Sequence, residues 1–458
     1  MTLAGRMRNS TTIGLNDPQI MNPRRGTVLQ IRKAHVRRPT TVLAALFAAA
    51  AGTATVPDVA AAGSITYEAV ATTQGGAQDA FSFTGLGPPA INNDGDVAFN
   101  GSRALGSASA LYRRADGNLK ELSATADFGP GNPSIAPDGS VAFLGTGGQA
   151  DSAIYSWLNN SVQTVLQAGD SAPDQNTGFQ TFLDVATAST STIAFSAELE
   201  SGKPGIFLDD FAGGNTKAVN PPSGTTFVQV GPPALGGSDN GAYRGVDDNG
   251  SSGLYTFAPD ADDPTSSLIL EEGDSAPDGG NFTIFNEPVV NASGDVVFGA
   301  NVENGGNTRS GVFRRSDDGL SPVAWADDSA PGVPTQSFSE FFEVSINGLG
   351  DIAFKANLES GDTGIWFAPE GSNPRLIARE GAPFATATLG DITPSVLDVA
   401  ATNLGFFNDR RELAFVANYD NGEQGIFVAR VTVPTPGTMV LFGTCLVLLA
   451  ARSVMRPL

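Results

Sequence analysis

The sequence predicts an all-β fold, a seven-bladed β-propeller closed by an N-terminal strand that completes the last blade. Three observations carry this. A short motif of the form Asn-x-x-Gly-x-Ala-Phe recurs seven times, each copy belongs to a set of four strand-like runs, and the last set lacks a strand that the start of the mature chain could supply.

The clearest copy is INGLGDIAF (346–354), matched by INNDGDVAF (91–99), IAPDGSVAF (135–143), VNASGDVVF (290–298) and FNDRRELAF (407–415), with worn copies at TASTSTIAF (187–195) and GSDNGAYRG (237–245). Asn/Asp-Gly pairs favour the positive φ of tight turns. After the turn, Ile352, Phe354, Ala356 and Leu358 fall on one face at period two, as in a strand with a buried side. A polar turn follows (359–363), then a second run, GIWF (364–367), with relatives GIFL (205–208), GVFRR (311–315) and GIFVAR (425–430). A third run ends in a Gly-Asp-x-Ala-Pro loop, as in VLQAGDSAPD (165–174) and LILEEGDSAPD (268–278), where proline stops the ladder. A fourth apolar run, such as 341–346, precedes each Asn turn.

The repeated aromatics are Phe99, Phe143, Phe195, Tyr243, Phe298, Phe354 and Phe415, separated by 44, 52, 48, 55, 56 and 61 residues. Four-stranded units of about 40–50 residues are propeller blades, which come about 4–8 to a ring. The last unit stops after its third strand (425–431), and residues 64–74 (ITYEAVATTQ from 65) stand where a fourth strand belongs. Their pairing would join the chain ends and remove a sheet edge.

Three regions follow: 1–62, an n-region and signal peptide; 63–432, the propeller; and 433–458, a short apolar tail. Residues 37–62 combine Arg37-Arg38, an apolar run too short to span a membrane and a small-residue stretch ending at Ala62, the pattern of a signal peptide. The formal charge is −22, and the segment 63–437 alone carries roughly −30 by count of its acidic and basic residues. Such a surface repels nucleic acid and anionic lipid, so membrane contact is expected only through the C-terminal apolar segment. The one cysteine, Cys445, lies in that segment, and the one histidine, His35, lies in the segment expected to be removed. Ser-His-Asp, Cys-His and His/Cys-liganded metal chemistry are thereby excluded from the mature body.

What survives is carboxylate chemistry. Asp96, Asp295 and Asp351 share the position after the turn glycine and read as turn residues bonding the local backbone rather than as a glycosidase pair. Calcium is the other option, with Asp94, Asp96, Asp274 and Asp278 as its weak candidate ligands, although none follows EF-hand spacing. No catalytic residue, cofactor-binding residue or other metal ligand is expected. SGDTGIW (360–366) is one residue short of the sialidase Asp-box and reads as a hairpin turn.

The tail, Val433-Pro434-Thr435-Pro436-Gly437-Thr438, then MVLFGTCLVLLAA (439–451) and the basic Arg452 and Arg456, resembles the PEP-CTERM sorting signal of Gram-negative bacteria, with Thr435 in place of the glutamate. That resemblance implies processing by an exosortase-type enzyme, through Pro434, Pro436, Gly437 and Arg452. The repeats are similar to tandem Asn-x-x-Gly-x-Ala-Phe repeats of bacterial surface proteins with interchangeable C-terminal anchors, at Asn92, Gly95, Ala98 and Phe99, for example. This implies a secreted or cell-surface protein and brings no catalytic residue. The expectation is an exported, non-enzymatic module of the envelope or extracellular matrix, binding or building with an extracellular polysaccharide or another surface protein. The alternative is a carboxylate-dependent carbohydrate-active hydrolase or lyase.

Overall fold

A computed structural model describes residues 64–433 apart from 74–80, 104–108, 124–128, 148–149, 174–175, 188–191, 238–239, 388 and 399–404. The chain divides after Ala60, and all described residues fall in the second unit. The signal-peptide reading and the tail residues Pro434, Pro436, Gly437 and Arg452 lie outside the described residues.

Seven sheets, antiparallel except for one parallel contact in the last, follow one another along the chain, one for each repeated motif, forming a seven-bladed propeller. Blade 6 shows the unit: inner strand Phe338–Ile346, second Ile352–Leu358, third Thr363–Ala368, outer Arg375–Arg379. Because neighbours alternate in direction, Asn turns and third-to-outer turns share one face of the disc. Second-to-third turns and the blade-to-blade loops share the other.

One expectation needs refinement. The second strand is buried on both faces, not one, because blades pack face to face. That explains the Ala-Phe pair of the motif. Each repeated aromatic shares a core cluster with the small residue before the aromatic of the preceding blade: Phe354 with Val297, Phe298 with Ala242, Tyr243 with Ala194, Phe195 with Ala142 and Phe415 with Ala353. Phe99 does the same with Ala414 across the ring closure. A large ring from one blade fills the space that a small residue leaves on the next, at about 2–3 kcal/mol per buried ring. Within a blade the ring also meets two others. Phe354 stacks on Trp366, and Phe338 meets Trp366 edge-on at 4.8 Å.

The ring closes as the sequence predicts. Ile65–Thr72 is the outer strand of blade 7, antiparallel to the third strand Gln424–Val431, with Ile65 opposite Val431 and Thr72 opposite Gly425. The Thr432 amide donates to the Ser64 carbonyl at 3.0 Å. A further hairpin, Phe384–Thr386 with Gly390–Ile392, lies outside this strand and pairs with it in parallel at Tyr67 and Thr386. It comes from the blade 6 to 7 connection and covers the edge that a terminal strand would leave open. Tyr67 fixes the seam by donating to the Ile377 carbonyl at 2.5 Å, and burial pushes its phenol pKa up to about 12.

The motif asparagine does more than turn the chain. Asn347 Oδ1 accepts the amides of Leu349 and Asp351, at 3.0 and 2.9 Å, while its Nδ2 donates to the carbonyl of Asn408 in the next blade at 3.2 Å. Asn291 donates likewise to Asn347, Asn408 to Asn92, and Asn92 to Ala136. One buried amide therefore closes its own turn and latches the neighbouring blade, satisfying donors and acceptors that burial would otherwise penalise. Gly350 sits at φ +80°, and Gly95 and Gly294 are similar, which is why the fourth motif position is glycine in these copies.

Candidate functional site

Asn92 of the latch lines one end of the axial channel. A cavity of about 140 Å³ there is touched by every blade, through Ile91, Pro137, Thr187, Leu235, Val290, Ile346 and Phe407. Its walls are mostly apolar side chains and backbone.

The other end is built differently. All seven inner strands shift register against their second strands, and a β-bulge re-aims side chains. An inner strand has a blade on each face and a bonded strand on one edge, so an exposed side chain on it meets solvent in the channel. Four large apolar residues do so: Leu183, 44 % exposed, Val228, 58 %, Ile284, 55 %, and Val396, 47 %. Three of these lie on the consecutive inner strands of blades 3, 4 and 5, namely Phe179–Thr187, Phe227–Val230 and Asn281–Phe285. Each of the three stands at a different distance along its strand, so the repeat itself does not dictate their exposure.

Charged groups stand beside them. Asp184 follows Leu183 in blade 3, Arg244 lies on the second strand of blade 4, and Glu287 follows the inner strand of blade 5. Arg244 pairs with Glu287 at 3.3 Å. Burial, together with the Glu287 carboxylate, pushes the Asp184 pKa up to about 6, partly offset by a hydrogen bond from Ser196 Oγ at 3.5 Å. The Glu287 carboxylate reaches Asp184 electrostatically although blade 4 separates their blades. In blades 6 and 7, Lys355 holds Glu343 at 3.5 Å and Asp398 at 3.2 Å. The arrangement can seat a ligand that offers apolar surface and cationic or hydrogen-bond-donating groups. It also holds one carboxyl able to exchange a proton near neutrality.

The residues singled out from the sequence lie elsewhere. Asp94 and Asp96 are in the Asn turn of blade 1, where Asp94 faces Arg410 and Asp96 pairs with Arg113. Asp274 and Asp278 are on the opposite face, in the loop from blade 4 to 5. There Asp274 accepts the Glu271 amide, and Asp278 accepts Trp325 Nε1 at 2.8 Å. The two pairs belong to different faces of the disc. Among the described residues no three Asp, Glu, His or Cys side chains gather as a metal site. The equivalent acids Asp295 and Asp351 correct the local-backbone reading. Asp295 takes Arg314 at 2.8 Å, and Asp351, buried, takes Arg411 of the next turn at 2.6 Å while also accepting the Glu370 amide. Ser360 and Asp362 form the hairpin turn expected of them, with Ser360 Oγ donating to Asp362 at 3.1 Å.

Asp184, Arg244 and Glu287 escaped sequence reasoning because no repeat position marks them. Their signal was departure from the repeat: Arg244 stands where blade 5 has Gly299 and blade 1 has Asn100.

A family model described as "Family of unknown function (DUF7453)" matches residues 41–440. No curated protein matches the chain. Among solved structures, the chain is similar to TolB from Acinetobacter baumannii, at 12 % identity over 65 % of this chain and 66 % of that one, with a TM-score of 0.35. It is also similar to YCF48 bound to D1 peptide, at 10 % identity over 81 % and 97 % and a TM-score of 0.39. A third similarity is to Trypanosoma rangeli sialidase, at 12 % identity over 72 % and 58 % and a TM-score of 0.34.

Proposed function

The chain belongs to the family of unknown function DUF7453, and from that premise we propose that it is an exported, non-enzymatic binding module of the cell envelope or extracellular matrix. Its ligand is a polypeptide segment carrying basic and apolar side chains, seated at the channel mouth of blades 3 to 5. The observation that carries this reading is the exposure of Leu183, Val228 and Ile284 on three consecutive inner strands beside Asp184 and Glu287. Apolar anchors rimmed by charge are the anatomy of a protein-binding patch. Of the two partner classes that the sequence leaves open, a polypeptide fits better than a polysaccharide. The three tryptophans, Trp157, Trp325 and Trp366, are buried, and a sugar ring prefers an exposed aromatic face to stack on.

Export, and sorting by an exosortase-type enzyme, belong to the same proposal and rest on the sequence of residues 37–62 and 433–458. Ser64 and Thr432 are hydrogen-bonded to each other at 2.9 Å through their side chains, so the two ends of the described chain lie together. Cleavage there would leave the ring intact.

The test is to incubate the purified chain with envelope proteins and with a panel of polysaccharides. Leu183→Glu and Val228→Glu should remove a partner that wild type and a Ser372→Glu control retain. Capture of the same partners by all four proteins would overturn the assignment. One observation favours a second reading: Asp184 keeps its proton to about pH 6 beside Glu287, as a general acid near a base would. Polysaccharide cleavage abolished by Asp184→Asn would establish that enzyme instead.

A further inference from the structure

We propose a covalent modification site at the tip of blade 5: Asn304 converts spontaneously to aspartate and isoaspartate by attack of the Gly305 backbone nitrogen, ahead of every other Asn-Gly pair in the chain. Asparagine is a thermolabile residue. The attack needs a side-chain amide free to turn, a following backbone N–H without an acceptor, and no Cβ on the following residue to obstruct the approach. Six Asn-Gly pairs meet the last condition, at Asn100, Asn240, Asn249, Asn304, Asn347 and Asn421.

The others are restrained. Asn100 Nδ2 donates to the Pro130 carbonyl at 3.2 Å and Asn240 Nδ2 to that of Ala292 at 3.0 Å. In both pairs the glycine lies in a second strand, with a ladder partner on each side. Asn347 is buried in the latch, and the Gly348 amide donates to Asp409. In the turns at 249 and 421 the asparagine Nδ2 donates to Asp247 and to Glu423. The glycine amides there donate to the Asp247 and Tyr419 carbonyls, at 3.0 and 2.9 Å. Asn304 differs on every count. It is exposed, its side chain has no hydrogen bond among the described residues, and no described group accepts the Gly305 amide. It lies beside Gly279 and Gly280, where an added Cβ would stand 3.5 Å from its Nδ2 and 2.9 Å from its Cβ, so two glycines leave the amide room to turn.

The hairpin supplies the rest. Blade 5 runs its second and third strands, Val296–Asn304 and Asn307–Ser316, out to a two-residue turn on the face of the channel mouth. Gly305 and Gly306 sit at φ +61° and +88°, both positive as a type I′ turn requires, and a Cβ on either would meet nothing within 4 Å. Once it loses its proton, the Gly305 nitrogen bonds to Asn304 Cγ, the Cγ–Nδ2 bond breaks, and the amide leaves as ammonia. Water then opens the five-membered succinimide. Addition at Cγ gives aspartate, whereas addition at the backbone carbonyl carbon gives isoaspartate, whose main chain is one carbon longer. The balance is one water taken up and one ammonia released, and either product adds a negative charge to that face. In isoaspartate the two-residue turn no longer fits its ladder, so Asn307 and Thr308 lose their partners first. Arg309, which donates to the Ala326 carbonyl at 2.6 Å and pairs with Asp328 at 2.8 Å, stops the loosening there.

The test is storage of the full chain at mildly alkaline pH, followed by peptide mapping and enzymatic methylation of isoaspartate. Residue 304 should become about 1 Da heavier and accept the methyl group several times sooner than 249 or 421, with 100, 240 and 347 unchanged while the fold persists. Asn304→Gln, which would have to close a six-membered ring, should remove the early methylation and leave the circular dichroism as in wild type. Amide exchange in the converted protein should quicken at Asn307 and Thr308 but not at Leu358 of blade 6, and an unchanged rate at Thr308 would overturn the loosening. The site itself is overturned if 304 stays asparagine, if 249 or 421 converts as fast, or if Asn304→Gln is methylated as wild type is.

Discussion

Blades 5, 6, 7 and 1 keep the motif asparagine, whereas blades 2, 3 and 4 have lost it, and the two arcs differ in what they expose. The first arc is joined by asparagine amides that run without a break from Asn291 through Asn347 and Asn408 to Asn92. In the second arc Ala136 takes the asparagine position of blade 2, where Ser134 exchanges hydrogen bonds with Thr187 instead. Gly236 takes that position in blade 4, and its neighbour's backbone fills the space: a Cβ there would lie 2.2 Å from the Asn291 carbonyl oxygen. The worn arc also carries Leu183, Asp184, Val228 and Arg244, and blade 5 beside it adds Ile284 and Glu287. The candidate site thus straddles the boundary between the two arcs. Strain and unpaired groups accumulate at sites with a task beyond folding.

The largest test of this contrast is in the core. Trp366 is fully buried in blade 6 between Phe338 and Phe354. Trp366→Ala should cost about 3–5 kcal/mol, the usual loss for an aromatic deleted from a packed interior, read as a fall in Tm or denaturation midpoint. Next comes the latch. Asn347→Ala removes four hydrogen bonds, among them the one to the Asn408 carbonyl, which then keeps only the Arg411 amide, a loss of about 2–3 kcal/mol. Ser134→Ala, at the corresponding interface of the worn arc, should cost about 1 kcal/mol. Equal losses at the two positions would mean that the arcs are held by the same forces, and the contrast would be lost.

How much of this was legible in the sequence follows the same division. The recurring Phe and the Asn-Gly turns gave the blade count, and the spare run at 65–72 gave the closure, because each rests on local pattern. The reach of Asn347 into the next blade was not legible. Its turn geometry is local, but its second partner is 61 residues away and, for Asn408, 316. Nor were the channel residues. In Phe179–Thr187 simple alternation puts Leu183 with Phe179 on the buried face, yet two register shifts leave Phe182 buried and Leu183 in solvent. A bulge inserts a residue without a compositional mark, so period-two reasoning fails on every inner strand. The hairpin at 384–392 was missed because its strands are three residues each.

A smaller effect separates the arcs by pH. Burial raises the Asp184 pKa to about 6, above its unfolded value of about 3.9. The fold therefore favours the protonated acid. Relative to a group with no shift, Asp184 costs nothing below pH 4, and stability is lost progressively as pH rises to about 6, with no further change above. Asp184→Asn should consequently match wild type near pH 4 and exceed it by about 1 kcal/mol at pH 7, a figure reduced for the water that reaches the site. Thermal melts of both proteins across that range measure the gap. A gap that does not vary with pH would show that Asp184 is not held protonated by its surroundings.

The smallest expected effect is the most informative about purpose. Val228 is more than half exposed on the inner strand of blade 4, so Val228→Thr, which keeps the branched shape, removes almost no buried surface. Its stability should change by less than about 0.5 kcal/mol. A buried valine of the next blade, Val289 at 5 % exposure, should lose about 1–3 kcal/mol on the same change, because a hydroxyl would enter the core without a partner. If Val228→Thr proves as damaging as Val289→Thr, the side chain is part of the packing and the worn arc is only a weaker scaffold. If it leaves the fold untouched but loosens a bound partner, then a surface valine retained on the channel wall serves recognition, which folding alone does not explain.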